Sequence, residues 1–192
     1  SSRNWQTAGR KLAERFRVAA LDLRNHGESP QHARMDYPSM AADVLGWLAA
    51  AGGGAVHLVG HSMGGKVAMW LACGEPERVK TLTVVDIAPR AYPPRWEREF
   101  AVMRRMPVDR FTRRSEAEEW LAEDIRDWAF RKFLVSNLER DPEGGFRWMV
   151  NLEILEAALP NLFRQVPVEG QGYAGPTLFL RGGKSRFVDE SD

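Results

Sequence analysis

Residues 56 to 70 read VHLVGHSMGGKVAMW, and this stretch constrains the chain more than any other. A short apolar run stops at Gly60, a serine follows two residues later, and a helical pattern begins at Met63. The letters GHSMG fit G-x-S-x-G, a pattern that marks a sharp strand-to-helix turn carrying an exposed serine. The stretch therefore predicts a buried strand, a tight turn with Ser62 at its tip, and a helix.

The residues of this turn suggest a chemical role. We expect Gly60 and Gly64 to avoid collisions between the strand and the helix, with His61 as the remaining residue of the nucleophile elbow. Helix N-termini favour negative charge, so the Met63 N–H is placed to stabilise an oxyanion formed on an ester carbonyl. We therefore predict that Ser62 is a catalytic nucleophile. The alternative is a structural turn serine.

A second motif overlaps the first. Gly60, Gly65 and Lys66 also satisfy G-x-x-x-x-G-K, the loop that cradles nucleotide phosphates between a strand and a helix. The next position should be Ser or Thr to bind Mg²⁺, but it is Val67, and Asp86 is the one clean acidic candidate that ends an apolar strand. Nucleotide binding is therefore the weaker hypothesis.

Apolar runs and helical patterns alternate through the first half of the chain. Buried strands are predicted at 16–23, 55–59 and 79–87, and helices at 7–15, 37–52 and 63–72. This alternation predicts a three-layer α/β fold with a mostly parallel sheet covered on both faces.

The pattern becomes helical from residue 88 to about 165, and the sheet pattern returns only at 176–181. We therefore predict an α/β core over 1–91, a helical lid over 92–165, and a core strand with the start of the following loop over 166–192. Within the lid, Ser115 and Glu118 have the spacing of a capping box. Seven arginines and three acidic residues between Arg95 and Arg114 predict a solvated helix face or, alternatively, attraction of an anionic group such as the phosphates of an acyl carrier.

Composition sets the remaining limits. The 192 residues suffice for one domain with a sizeable core, and the net charge of +1 gives no reason to expect nucleic acid as a partner. No apolar run approaches the roughly 20 residues that span a bilayer. The single cysteine, Cys73, cannot form an internal disulfide, which favours a reducing, cytoplasmic location.

Three stretches together carry a family resemblance. GHSMGG, with LDLRNHGESP at 21–30 and VVDIAPRAYP at 84–93, resembles the α/β-hydrolase family and more narrowly the small bacterial serine esterases of the YbfF type. The resemblance implies an eight-stranded, mostly parallel sheet and hydrolysis of a small acyl ester or thioester through an acyl-enzyme. It also implies that neither a metal nor an organic cofactor is needed.

The resemblance further implies a carboxylate partner for the serine. Asp86, at the end of the strand after Ser62, is the favoured acid, and Asp189, after the strand that follows the lid, is the second candidate. The structural alternative for Asp86 is that it caps the turn at Ala88 and Pro89.

None of the four histidines suits the role of general base. The resemblance places that histidine after the last strand and a second oxyanion donor before the first visible helix, both outside residues 1–192. We therefore expect an interior portion of a hydrolase that lacks the first strands and the last strand and helix. The functional alternative is a catalytically silent hydrolase-fold binding module.

Overall fold

The computed structural model describes residues 1–93, 95–167, 170–189 and 192. The chain divides into two compact units, which we call the helical unit (residues 1–33 and 95–157) and the sheet unit (34–94 and 158–192). The predicted division into core, lid and final core strand remains a prediction.

The helices in chain order are α1 (Gln6–Leu12), α2 (Tyr37–Ala50), α3 (Met63–Gly74), α4 (Glu97–Arg105), α5 (Arg114–Leu121), α6 (Trp128–Val135) and α7 (Leu152–Leu162). The strands are β1 (Val56–His61), β2 (Val79–Val85), β3 (Leu138–Arg140), β4 (Phe146–Trp148) and β5 (Thr177–Leu180). Short 3₁₀ turns lie at Ser2–Trp5, Pro76–Arg78 and Val108–Arg110.

The sheet unit is built on three parallel strands in the order β1-β2-β5. In the register, Gly60 lies beside Val84 and His61 beside Val85, while Leu180 lies on the other side of Val85. Parallel strands end at a common edge, which is where α/β proteins place their sites. The turn after β1 and the residue after β2 therefore meet at one edge of the sheet.

Helices α2 and α3 belong to the same unit. Helix α2 begins where the Asp36 carboxylate accepts a hydrogen bond from the Ser39 amide at 2.8 Å, with Pro38 in the first turn. Apolar side chains at helical spacing are buried, and the core of this unit includes Met40, Val44, Leu48, Val67, Leu71, Leu82 and Val84. The fold class predicted from the sequence, a mostly parallel sheet with helices, is confirmed.

The helical unit has its own core and a short hairpin. Its buried cluster comprises Val102, Met103, Met106, Ala117, Leu121, Ile125, Leu134, Val135, Leu138 and Phe146. Strands β3 and β4 pair antiparallel around a turn at 141–145. Gly145, at φ +70°, approaches so closely that an added Cβ would lie 2.0 Å from the Asp109 carbonyl oxygen.

Two local predictions are wrong. Residues 16–23 form no strand, because no described strand pairs with this segment and a strand is defined by such pairing. Its side chains are also exposed, with Phe16 at 52% and Val18 at 40%. The capping residue of α5 is also misplaced. The N-cap residue is Arg113 and not Ser115, and Glu116 accepts the Arg113 amide at 3.4 Å. Glu118 instead pairs with Lys132 at 2.5 Å.

None of the described helices is both long and apolar enough to cross a bilayer.

Candidate active site

Ser62 occupies the turn between β1 and α3 in a conformation that side chains rarely adopt, with φ 51° and ψ −123°. Such backbone strain costs about 1–3 kcal/mol and persists only where the surroundings impose it. The Ser62 amide donates to the Val85 carbonyl at 3.0 Å, and its carbonyl accepts from Gly65 and Lys66 at 2.8 and 3.2 Å. The strand-to-helix turn predicted from the sequence is therefore present with Ser62 at its tip.

The Ser62 hydroxyl is not used in the way a helix-capping serine uses its side chain. A serine at this position normally accepts a hydrogen bond from an amide in the first helical turn. Here the side chain makes no capping hydrogen bond within the described part of the chain. Met63 is the first residue of α3, so its amide has no acceptor inside the helix. A half-buried hydroxyl and a free helical amide thus lie on consecutive residues.

Two glycines, Gly60 and Gly65, make this turn possible, whereas the sequence predicted crowding at Gly60 and Gly64. A Cβ on Gly60 would lie 2.2 Å from the Gly64 carbonyl oxygen, and a Cβ on Gly65 would lie 2.7 Å from Ile87 Cγ2. A Cβ on Gly64 would meet nothing within 4 Å. The expected crowding is therefore real at Gly60 and wrong at Gly64, because the close contact involves the backbone of Gly64 and not its side-chain position. Gly65 is the crowded residue that sequence reasoning missed.

Asp86 directly follows β2 and also has a left-handed backbone, with φ 57°. Its amide donates to the Leu180 carbonyl at 2.7 Å, and its Oδ1 accepts from the Gly182 amide at 2.9 Å. Because the Ser62 amide is bonded to Val85, the residue before Asp86, the two candidate residues lie at neighbouring strand ends. The structure brings Ser62 and Asp86 to the same edge of the sheet.

The structural alternative for Asp86 is wrong. Had this carboxylate capped the turn at Ala88 and Pro89, it would have accepted the Ala88 amide, but that amide donates to the Tyr92 hydroxyl at 2.8 Å. The carboxylate instead accepts the Gly182 amide, at a position where an added Cβ would be only 3.3 Å from Oδ1. The paired glycines after β5 were the signal in the sequence for this close approach.

Asp189, the second candidate acid, has different surroundings. Its side chain is 55% exposed and lies 3.6 Å from the Arg90 guanidinium, which also pairs with Asp192 at 2.7 Å. An exposed carboxylate paired with a guanidinium is typical of a surface ion pair.

The histidines of the sheet unit have their own contacts. His57 Nδ1 lies 2.9 Å from the Thr81 hydroxyl on the neighbouring strand. Desolvation lowers the pKa of His61, and the negative charge of nearby Asp86 raises it by a smaller amount. In the helical unit, His26 Nδ1 lies 3.0 Å from the Arg24 carbonyl.

Lys66 does not present its ammonium as a phosphate-binding lysine would. It is only 1% exposed, and it donates to the carbonyl of Arg90 at 3.0 Å and to that of Arg164. An ammonium committed to two main-chain carbonyls is unavailable to β- and γ-phosphates. Together with Val67 in place of the metal-binding hydroxyl, this contact argues against the nucleotide-binding hypothesis.

At least four of the seven arginines in the segment 95–114 pair with a carboxylate of the described residues. Arg98 and Arg105 contact Asp124, and Arg104 contacts Glu156. A cavity of about 450 Å³ in this unit is lined in part by Arg3, Arg114 and Lys132, and Arg114 donates to the Leu138 carbonyl at 2.8 Å. None of the residues predicted for the catalytic site lines this cavity. The pairing favours the solvated-face interpretation of the basic segment over an anion-binding one.

The family model described as "alpha/beta hydrolase fold" matches residues 1–119. This match covers more than half of the chain, and the elbow and parallel sheet described above agree with it. The chain therefore belongs to the α/β-hydrolase family.

Individual relatives agree with this assignment. The sn-1-specific diacylglycerol lipase ABHD11 of Xenopus tropicalis is 37% identical over 200 residues, covering 100% of this chain and 62% of the relative. Esterase YbfF of Escherichia coli is 30% identical, covering 97% and 71%. A solved structure described as a marine microorganism esterase has a TM-score of 0.92 at 33% identity, covering 100% and 76%. The chain spans under two thirds of the length of the ABHD11 relatives from Xenopus, Danio and mouse.

Proposed function

We propose that this chain carries the nucleophile and the acid of a serine hydrolase that cleaves carboxylic esters through an acyl-enzyme intermediate. Ser62 is the nucleophile, Asp86 the acid, and the Met63 amide one donor of the oxyanion hole. Gly60, His61 and Gly64 complete the elbow. The cytoplasmic location and the absence of a cofactor stay predictions.

The observation that carries the proposal is the Ser62 turn. A strained serine at a helix N-terminus, whose hydroxyl does not cap the helix, has no structural use that would explain the strain. The same arrangement is well suited to attack on a carbonyl, because the free amide next to it can receive the developing charge. Strain at a reactive group is one of the ways in which proteins pre-organise a site.

The proposed reaction has two halves. In the first, Ser62 Oγ attacks the acyl carbonyl, a histidine base takes its proton, and the Met63 amide stabilises the oxyanion. As the ester C–O bond breaks, the imidazolium gives that proton to the departing alcohol, which leaves a neutral base and the acyl-enzyme. In the second, the same base activates water, which releases the acid and restores Ser62. Asp86 orients the imidazole and stabilises its positive charge.

The substrate class follows the relatives. ABHD11 proteins are named diacylglycerol lipases and YbfF is named an esterase, and both names denote hydrolysis of an oxygen ester. The thioesterase domain from the curacin pathway is only 20% identical, so it supports the fold and not a thioester substrate. We therefore propose that the substrate is a small acyl ester rather than a thioester.

The test is Ser62→Ala in the full-length protein, assayed with a short p-nitrophenyl ester. The expected result is loss of at least about a thousandfold in kcat, since removing the nucleophile disables the whole catalytic unit. Wild-type protein should also be labelled by a fluorophosphonate at Ser62. The matched control is Ser115→Ala, at an exposed serine of α5. Near wild-type turnover in Ser62→Ala would refute the proposal, and absence of turnover and labelling in the wild type would favour the silent binding module.

A further inference from the structure

Lys66 is the largest fully buried side chain of the described residues, and the proposed reaction does not use it. A buried ammonium costs several kcal/mol unless its hydrogen bonds are satisfied. Its described acceptors are the carbonyls of Arg90 and Arg164, and no described carboxylate pairs with it. Its Nζ also lies 4.9 Å from the centre of the Tyr92 ring, close enough for a cation–π interaction. Such a costly group, held by main chain alone, calls for an explanation.

The two carbonyls belong to the two segments by which the chain leaves and re-enters the sheet unit, residues 88–92 and 162–166. These segments also bond to each other. The Tyr92 amide donates to Phe163 at 2.8 Å, and the Val166 amide donates to Pro89 at 2.7 Å. We call the two segments together with Lys66 the junction. Because Lys66 lies on α3 four residues after Ser62, the junction ties both segments to the helix that begins at the elbow.

The junction also reaches Asp86. The Tyr92 hydroxyl accepts from the Ala88 amide at 2.8 Å and donates to the Phe187 carbonyl at 2.5 Å. Ala88 is two residues after Asp86, whose left-handed backbone at φ 57° is sustained only if its neighbours are fixed. Lys66 binds the Arg90 carbonyl and the Tyr92 hydroxyl binds the Ala88 amide, so both side chains fix the backbone of 88–92.

We propose that Lys66 is a positioning residue for the hydrolysis: its buried ammonium fixes the junction and thereby holds Asp86 in the conformation needed to orient the general base. The proposal rests on the proposed function, because Asp86 is the acid of that reaction. Lys66 itself touches neither the substrate nor the reacting atoms.

The test is Lys66→Met in the full-length protein at neutral pH, since methionine keeps the length of the side chain and removes the ammonium. Three quantities are measured: kcat, with active sites counted by fluorophosphonate titration, KM, and the hydrogen-exchange rates of individual amides. We expect kcat to fall about tenfold with KM within about twofold. The Tyr92 and Val166 amides should exchange about tenfold faster while the amides of β1 and β2 stay unchanged.

Two further variants make the result specific. Lys80→Met, at an exposed lysine of β2, removes a positive charge without touching the junction and should match the wild type. Tyr92→Phe keeps the ring beside Lys66 and removes the hydroxyl that joins Ala88 to Phe187, so it should lower kcat in the same direction.

Three results would overturn the proposal. The first is that the Tyr92 and Val166 amides of Lys66→Met exchange at the wild-type rate. The second is that exchange becomes faster throughout the sheet unit by the same factor. The third is that kcat per active site does not change. Hydrogen exchange reports on the junction whether or not the protein hydrolyses esters. Failure of the Ser62→Ala test is therefore distinguishable from failure of this proposal.

Discussion

The two units of this protein differ in their buried charge, since among the described residues the one fully buried charged side chain, Lys66, belongs to the sheet unit. In the helical unit, arginines pair with carboxylates while remaining more than half exposed, as Arg104 does with Glu156. In the sheet unit, Lys66 and Asp86 are bound by main-chain atoms close to the edge that carries Ser62. Exposed ion pairs contribute about 0–1 kcal/mol, whereas polar groups bonded inside a protein are costly to disturb.

The contrast indicates which charges fix geometry. An exposed pair of long side chains can rearrange in solvent, so it imposes little on the backbone. A carboxylate or ammonium held by backbone groups fixes the loop that supplies those groups. The sheet unit should therefore be sensitive to conservative changes, and the helical unit should tolerate them.

The largest expected effect separates the two candidate acids. Asp86→Asn should lower kcat about a thousandfold, equivalent to about 4 kcal/mol, because an amide cannot stabilise the imidazolium. Asp189→Asn, which changes an exposed side chain paired with Arg90, should stay within about twofold of the wild type. Steady-state hydrolysis of the p-nitrophenyl ester measures both. The reverse order of effects would make Asp189 the acid.

The next effect compares two glycines of one turn. Gly60→Ala should destabilise the protein by about 3 kcal/mol, because its Cβ would meet the Gly64 carbonyl at 2.2 Å. Gly64→Ala has open space around its Cβ and should be neutral or gain up to about 1 kcal/mol from helix propensity. Urea unfolding of both variants measures the difference. Equal destabilisation would contradict the crowding described at Gly60.

A third effect appears as a pH dependence. Burial, and to a lesser degree the charge of Arg90, lowers the pKa of Lys66 to about 8 from its usual 10.5. Between these values the unfolded chain holds the extra proton, so the free energy of unfolding should rise with pH, by up to about 3 kcal/mol. The stability of the wild type minus that of Lys66→Met, measured at pH 7 and pH 10, isolates this contribution from those of the other titrating groups. A difference that does not change with pH would show that the ammonium is not buried.

The smallest effect tests the helical unit. Glu156→Gln removes one partner of the exposed pair with Arg104 and should cost about 0.5 kcal/mol in low salt. In about 1 M salt the difference should vanish, because exposed charges are screened within roughly 3 Å. Thermal unfolding at the two salt concentrations checks this. A loss of several kcal/mol would show that this unit depends on its ion pairs as much as the sheet unit depends on Lys66.

The accuracy of the predictions made from the sequence also differs between the sheet unit and the helical unit. The elbow and strands β1 and β2 were predicted within a few residues, because apolar runs and the G-x-S-x-G spacing are local signals. The segment 16–23 has an equally apolar pattern, yet it forms no strand. The apolar pattern indicates that the segment can pair as a strand. A strand forms only if another strand lies beside it, and the local sequence does not specify that neighbour.

The candidate site was predicted in part for the same reason. Ser62 and Asp86 were named from the sequence, and the structure places them at neighbouring strand ends. Gly182, Tyr92 and the burial of Lys66 were missed because each depends on segments distant in the chain. The Tyr92 hydroxyl, for example, joins Ala88 to Phe187, 95 residues beyond Tyr92 itself.

The sequence by itself determined the local geometry of this protein: a strand that ends at a glycine, a serine at a sharp turn, and a helix that starts with free amides. Spacing over a few residues suffices for this, because backbone sterics and hydrogen bonding act locally. Only the tertiary structure decided that the Asp86 carboxylate is bonded to the Gly182 amide and that Lys66 is buried at the junction. Burial and long-range hydrogen bonds depend on which distant segments meet, and a local pattern does not encode that meeting.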